Sequence, residues 1–274
     1  LNVAADYVDR ISKGDVPPKI TDEYHGDFNT IKNNLNRCID SINALVSDAS
    51  MLSTAAVEGR LDVRVDASQH NGDYRAIVEG VNNTLDAVID PLNVAAEYVD
   101  RIAHGDIPSH IIDEYKGDFN EVKNNLNQCI DAINLLVADA NMLSAAAVKG
   151  KLGTRADASR HSGDYRCIIN GVNSTLDAVI DPLNVAAEYV DRIAQGDIPS
   201  HITEDYNGDF NNIKNNLNQC IDAINALVSD AKLLSVAAVE GKLSTRVDAS
   251  KHDGDYRTIV EGVNDTLDAV IGPL

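Results

Sequence analysis

The chain of 274 residues has no tryptophan, three phenylalanines and two methionines. Any core it buries must therefore be built from aliphatic side chains and alanine, a composition that suits helix bundles. Positive charge is also scarce: 23 Lys and Arg stand against 43 Asp and Glu, a formal net charge of −20. Binding to phosphates needs clustered cations, so nucleic acid and anionic membrane are excluded as expected partners, and the acids serve solubility. No uninterrupted apolar run approaches the roughly 20 residues needed to cross a bilayer, and no signal peptide opens the chain. The expectation is a soluble piece with no direct membrane insertion. It starts at Leu1 without Met and stops inside a motif at Leu274, which points to a piece of a longer polypeptide.

Catalytic chemistry is missing from the pattern as well. There is no CxxC or CxxCH, no paired His at metal-ligand spacing, no phosphate-binding glycine loop and no nucleophile elbow. The many carboxylates fall at solvent-facing helical spacing without an associated nucleophile or base. No catalytic residue, no metal and no cofactor is expected, and the chain reads as a non-enzyme.

What the sequence does have is repetition. "LNVAADYVDRISKGDVP" at Leu1 returns as "LNVAAEYVDRIAHGDIP" at Leu92 and "LNVAAEYVDRIAQGDIP" at Leu183, a period of 91 residues. A weaker half-repeat lies inside each copy: Gly105-Asp106-Ile107 is echoed by Gly150-Lys151-Leu152, Gly117-Asp118-Phe119 by Gly163-Asp164-Tyr165, and Leu126-Asn127 by Val172-Asn173. The chain divides into six units of two alternating types, at residues 1–46, 47–91, 92–137, 138–182, 183–228 and 229–274.

Stepping alternately three and four residues from Phe119 lands on Val122, Leu126, Cys129, Ile133, Leu136, Ala140, Leu143 and Ala147, all apolar. The same walk works from Phe28, through Cys38, and from Phe210, through Cys220. This is a heptad seam, and each stretch predicts one helix of about 29 residues, about 44 Å long at 1.5 Å per residue, shared between adjacent units. A second seam runs from Tyr165 through Ile169, Val172, Leu176, Val179, Leu183, Ala186, Val190 and Ile193, and its equivalent runs from Tyr74 through Val78 to Ile102. Both keep phase across the prolines of "VIDPLN", Pro91 and Pro182. The helices on either side are thus expected on one axis, with Asp90 and Asp181 as N-caps and each proline opening a new helix. The chain ends on a near copy, Val270 to Leu274.

The connectors, such as Gly105 to Asp118 and Gly150 to Asp164, exceed the roughly 2–8 residues that join antiparallel helices. Some 14 extended residues at about 3.3 Å each can run back along a helix and start the next one in parallel. Ile107 and Ile111, or Leu61, Val63 and Val65, would tuck between the two helices. A parallel pair fills half of a four-helix core, so the expected assembly is a parallel homodimer. The fold class is all-α: parallel helix-connector-helix units forming stacked dimeric four-helix coiled-coil bundles. Antiparallel three-helix bundles are the rival.

Cys38, Cys129 and Cys220 recur on the first seam, with Cys167 beside the second. Disulfides or soft-metal binding across a dimer axis are conceivable, but reduced, buried, small apolar residues are expected, and reduced thiols suit the cytoplasm. His70, His161 and His252 recur with Asp and Arg nearby. They read as connector polar contacts or a pH-sensitive contact, with Asp73, Asp164 and Asp255 capping the next helix.

Taken as an ordered set, the proline-led "PLNVAAEYVDRIA", Gly105 with anchors Ile107 and Ile111, "DEYKGDF" at Asp113–Phe119, and Leu126-Asn127 resemble the HAMP domain. The likeness covers all six units and looks like a tandem array similar to those in bacterial methyl-accepting chemotaxis receptors and sensor kinases. It departs in an extra residue before the motif glycine, in reversed acids at Glu204-Asp205, and in His-x-Gly-Asp-Tyr-Arg at His70, His161 and His252. The resemblance implies dimeric four-helix bundles that relay conformational signals between flanking sensor and output domains, in the cytoplasm of a membrane-attached receptor. The structural and relay residues it singles out are Gly14, Gly59, Gly105, Gly150, Gly196, Gly241, Pro91, Pro182, Ile107, Ile111 and Glu114, beside Cys38, Cys129 and Cys220. A passive coiled-coil spacer and a ligand-binding helical bundle are the alternatives.

Overall fold

The computed structural model describes residues 2–272. Leu1, Pro273 and Leu274 lie outside the described residues, and with them the proline of the last "VIGPL" segment. Among the described residues seven α-helices follow in chain order: α1 Asn2–Ser12, α2 Asp27–Val57, α3 Asp73–Ala103, α4 Asp118–Val148, α5 Gly163–Ala194, α6 Asp209–Val239 and α7 Gly254–Ile271. No strand occurs among the described residues. The predicted shared helices are present at the expected places, with 31 residues in each of α2, α4 and α6.

The chain forms two compact units, Leu1–Asn134 and Leu135–Leu274. In the first, Val3 and Ala4 at the start of α1 share a groove with Phe28, Ile31 and Leu35 at the start of α2. Val94 and Ala95 of α3 likewise meet Phe119, Val122 and Leu126 at the start of α4. In the second unit, Leu234, Ala237 and Ala238 at the end of α6 line a groove with Leu267 and Ile271 at the end of α7. In α1–α2 start lies beside start and in α6–α7 end lies beside end, so these pairs run parallel and their connectors run back between them; in α3–α4 the last third of the longer α3 lies beside the start of α4. Leu143, Ala156 and Ile169 form a buried cluster with Leu136 and Leu176 packed against it, joining α4, its connector and α5.

Each connector leaves its helix through a glycine. At Gly150 the backbone turns to φ 71°, the Gly150 N–H donates to the Ala147 carbonyl at 2.9 Å and the Lys151 N–H to the Ala146 carbonyl at 2.9 Å. These two bonds close a Schellman cap that satisfies the last helical carbonyls. The same pair of bonds recurs at Gly14, Gly59, Gly105, Gly196 and Gly241. A side chain at Gly150 would meet no neighbour, so glycine is needed there for its φ alone.

The prolines differ from expectation. Pro91 lies inside α3 and Pro182 inside α5, and both helices continue through them without interruption. Asp90 and Asp181 are therefore helical residues, not N-caps. The local preference of Asp-Pro for a helix start is overridden because the apolar stripe keeps phase on both sides, so one unbroken helix packs along its whole length. Val179 and Leu183, on either side of Pro182, are equally exposed at 42% and share one face. An interior proline gives up one helical hydrogen bond and crowds the preceding turn, at about 3 kcal/mol. Pro182→Ala is accordingly expected to raise stability by about 1–3 kcal/mol in urea unfolding; unchanged or lowered stability would contradict a continuous helix.

Candidate functional site

The most repeated feature of the structure is an asparagine clamp. Asn127, on α4, accepts a hydrogen bond from the Ile111 N–H at 2.8 Å and donates its own amide to the Ile111 carbonyl at 3.1 Å. Asn36 holds Ile20 and Asn218 holds Ile202 in the same two-bond manner. In the alternate units Asn82 holds Val65, Asn173 holds Ala156 and Asn264 holds Val247. A primary amide is the one side chain with a donor and an acceptor side by side, so it pairs with an extended residue as a neighbouring strand would. The clamped residues are buried, and without the amide their backbone groups would be orphaned between helices.

Anchoring is completed by apolar contact. Ile111 is 5% exposed, whereas Ile107 is only half-buried, and the adjacent Pro108 is buried with its equivalents Pro17 and Pro199. Proline is thus an anchor that the sequence pattern did not single out. In the alternate units Leu61 is exposed, Val63 half-buried and Val65 buried. There an arginine adds a second tie: Arg155 bonds Asp177 through Nε at 2.7 Å and the carbonyls of Leu152 and Thr154 through Nη1. Arg64 and Arg246 repeat the arrangement with Asp86 and Asp268.

Glu114 is exposed, and its side chain makes no hydrogen bond or ion pair among the described residues. Next to it, Asp113 contributes its backbone carbonyl, which accepts from Lys123 Nζ at 3.3 Å. Tyr115 is half-buried and lines the groove between α3 and α4.

Two readings from the sequence are corrected. Cys38, Cys129, Cys167 and Cys220 are free thiols and exposed within the chain, not buried. The buried position is the following residue: Ile39, Ile130 and Ile221 are each 1% exposed. Along the seam itself Leu136 and Leu143 pack in the buried cluster and Phe119, Val122 and Leu126 face the α3 groove, while Cys129 between them is exposed. Asp73, Asp164 and Asp255 provide no side-chain cap; the residues at the N-cap positions of α3, α5 and α7 are Gly72, Ser162 and Asp253, none with a side-chain capping bond. Instead, His70, His161 and His252 are buried and donate Nε2–H to the carboxylates of Asp48, Asp139 and Asp230 at 2.6–2.7 Å. These acids lie 22 residues before their histidines, a separation with no periodic signal in the sequence.

Before each of these histidines a 3₁₀ turn, such as Ala158–Arg160, is capped by an aspartate. The hydroxyl and the backbone N–H of Ser159 hold the Asp157 carboxyl below its usual range, and Ser68 and Ser250 do the same for Asp66 and Asp248. The hydrogen bond from Arg101 likewise lowers Asp106. No cluster of three or more His, Cys, Asp or Glu fit to hold a metal ion occurs among the described residues. One described helix, α4, is long and apolar enough to cross a membrane by composition, with a mean hydropathy of 1.3. It also carries Asp131, paired with His110, and the buried Asp139, polar pairs at odds with a lipid-facing helix.

Parallel helices joined by clamped, glycine-opened connectors define a class of helix-connector-helix repeats. The family profile for the HAMP domain matches residues 1–44, 69–135, 160–226 and 251–274. The chain belongs to the HAMP domain family, as a tandem array. No solved structure matches it significantly. HAMP domains are signal-relay modules of chemoreceptors and sensor kinases, and act as signalling linkers, not as catalysts.

Asn127→Ala leaves two buried backbone groups unpaired and is expected to cost about 1–3 kcal/mol in urea unfolding, with faster amide exchange at Ile111; unaltered exchange there would contradict the clamp. The lowered aspartates bind protons less readily folded than unfolded. Their contribution is complete above the unfolded carboxyl value of about 4 and disappears as pH falls through their lower folded values. Asp157→Asn should therefore flatten the loss of stability as pH falls below about 4, measured as the urea midpoint, and an identical acid dependence would refute the assignment.

Proposed function

We propose that this array relays conformational change between a sensor and an output domain of a bacterial chemoreceptor-like protein, working as a parallel homodimer in the cytoplasm and carrying no catalytic activity of its own. The observation that supports this reading is the apolar stripe left open on a single chain. Val172, Val179, Leu183 and Val190 fall in phase along α5 and are 39–54% exposed, and Val81, Val88, Leu92 and Val99 repeat the line on α3. Burying a side chain of this size is worth about 1.5–3 kcal/mol when complete, so a stripe of half-exposed aliphatic groups favours a second copy laid along it.

The seam also suits motion. Ala145, Ala146 and Ala147 follow one another at the end of α4, and small side chains commit little volume to one packing, so two arrangements of similar energy are accessible. Helices that run unbroken through Pro91 and Pro182 carry a rotation or shift from one HAMP unit into the next. Flanking domains of the same polypeptide supply the input and receive the output.

The reading is tested by imposing an input. A dimeric coiled coil is fused ahead of the array in each of its seven heptad phases, with all native cysteines replaced, and disulfide formation is measured at Val263→Cys in α7. Relay predicts cross-linking that changes with phase; a passive spacer predicts the same yield in every fusion, and that outcome would overturn the proposal.

A further inference from the structure

The two unit types differ in which helix the connector's ion pairs reach. In the first type they lie on the surface and reach the helix that follows the connector: Lys19 with Asp40 on α2, His110 with Asp131 on α4 and His201 with Asp222 on α6, every side chain 46–66% exposed. Such pairs hold geometry weakly, and Arg155 with Asp177 is their counterpart in the alternate type. The alternate type adds a buried tie back to the preceding helix. The His161 side chain is 1% exposed and that of Asp139 6%, with Nε2 and Oδ2 2.7 Å apart and Arg160 a further 3.6 Å contact on the other carboxylate oxygen. His70–Asp48 and His252–Asp230 repeat the buried histidine. The acids lie in segments 45–68, 136–159 and 227–250, which the family match does not span, and the histidines lie just inside it.

We infer that Asp139 and His161, with their repeats, are positioning residues that latch the axial register of the two parallel helices in every second unit, so that the array alternates latched and unlatched units. The geometry gives the reason. Asp139 stands on α4, nine residues before the helix ends at Val148, and His161 lies two residues before α5 begins at Gly163. The pair therefore ties the start of one helix to a fixed level of the other. Displacing α5 along α4 by one turn of about 5.4 Å would open the pair and leave a carboxylate and an imidazole buried without partners, which a packed interior resists strongly. Sliding an apolar seam of small residues meets no such barrier. Motion is thus concentrated in the units without the buried tie, while the latched units pass it on as rigid bodies.

The inference deepens the relay reading and rests on it for its purpose, but its test is a distance within one chain and does not depend on relay. In the full chain with native cysteines replaced, spin labels at Asn141→Cys and Ser174→Cys report the α4–α5 offset, and excess unlabelled chain removes signals between copies. Replacing both partners, Asp139→Leu with His161→Leu, removes the latch without leaving an orphaned polar group, an exchange that is often neutral for stability. The latch predicts an unchanged thermal midpoint with a distance distribution about twofold broader, and a narrow parental distribution for Asp139→Asn, which keeps an acceptor. The exposed-pair variant His110→Ala with Asp131→Ala should leave that distribution as it was. A double leucine variant that stays narrow overturns the inference. One that fails to fold also overturns it, because the pair would then supply stability and not register. Broadening in Asp139→Asn equal to that of the double variant would overturn it too.

Discussion

Two neighbouring helices that point the same way must be joined by chain that travels back along them, and every backbone amide on that return path needs a partner that no helix ladder supplies. For the buried residue at the centre of each of the six connectors the asparagine clamps meet this requirement, from Asn36 on Ile20 to Asn264 on Val247. The other local devices follow from it. Glycine at the helix end turns the chain round, buried Pro108 and Ile111 seat it in the groove, and the clamp fixes its level. Remove the return path and parallel packing is lost, with it the open stripe.

Parallel packing within one chain leaves the long helices two-faced. Ile130 is buried within the chain while Cys129, the residue before it, is exposed. A seam of Val, Leu, Ala and Cys half in water is the expected edge of a larger core. The proposed second copy completes it, and the unbroken passage through Pro91 and Pro182 makes each shared helix a single mechanical element. At about 3 kcal/mol per interior proline, continuity must be supported by packing on both sides. A joint of that kind is weaker than its surroundings without being broken.

Features governed by period were legible in the sequence. The seam walk from Phe119 to Ala147 anticipates α4, Asp118–Val148, to within a residue at each end, and connector length alone implied parallel helices. Features governed by contact across elements were not. Asp48 and His70 sit 22 residues apart on a helix and a connector, and no spacing rule links them. Asn127 was visible as a repeated residue, but its two-bond grip on Ile111 depends on the connector's path. Pro182 misled because the local preference of Asp-Pro competes with a seam that favours continuity, and the seam prevails. The cysteines misled because a heptad walk identifies an apolar line without saying whether the same chain covers it.

The central claim is that the stripe exposed on one chain is the core of an assembly of two. Sedimentation equilibrium of the purified chain over a wide concentration range tests this most directly. The account predicts twice the chain mass of 29.5 kDa, with a shift toward single chains when Val179 and Leu183 are replaced by charged residues. A compact species of 29.5 kDa that persists at high concentration would contradict it.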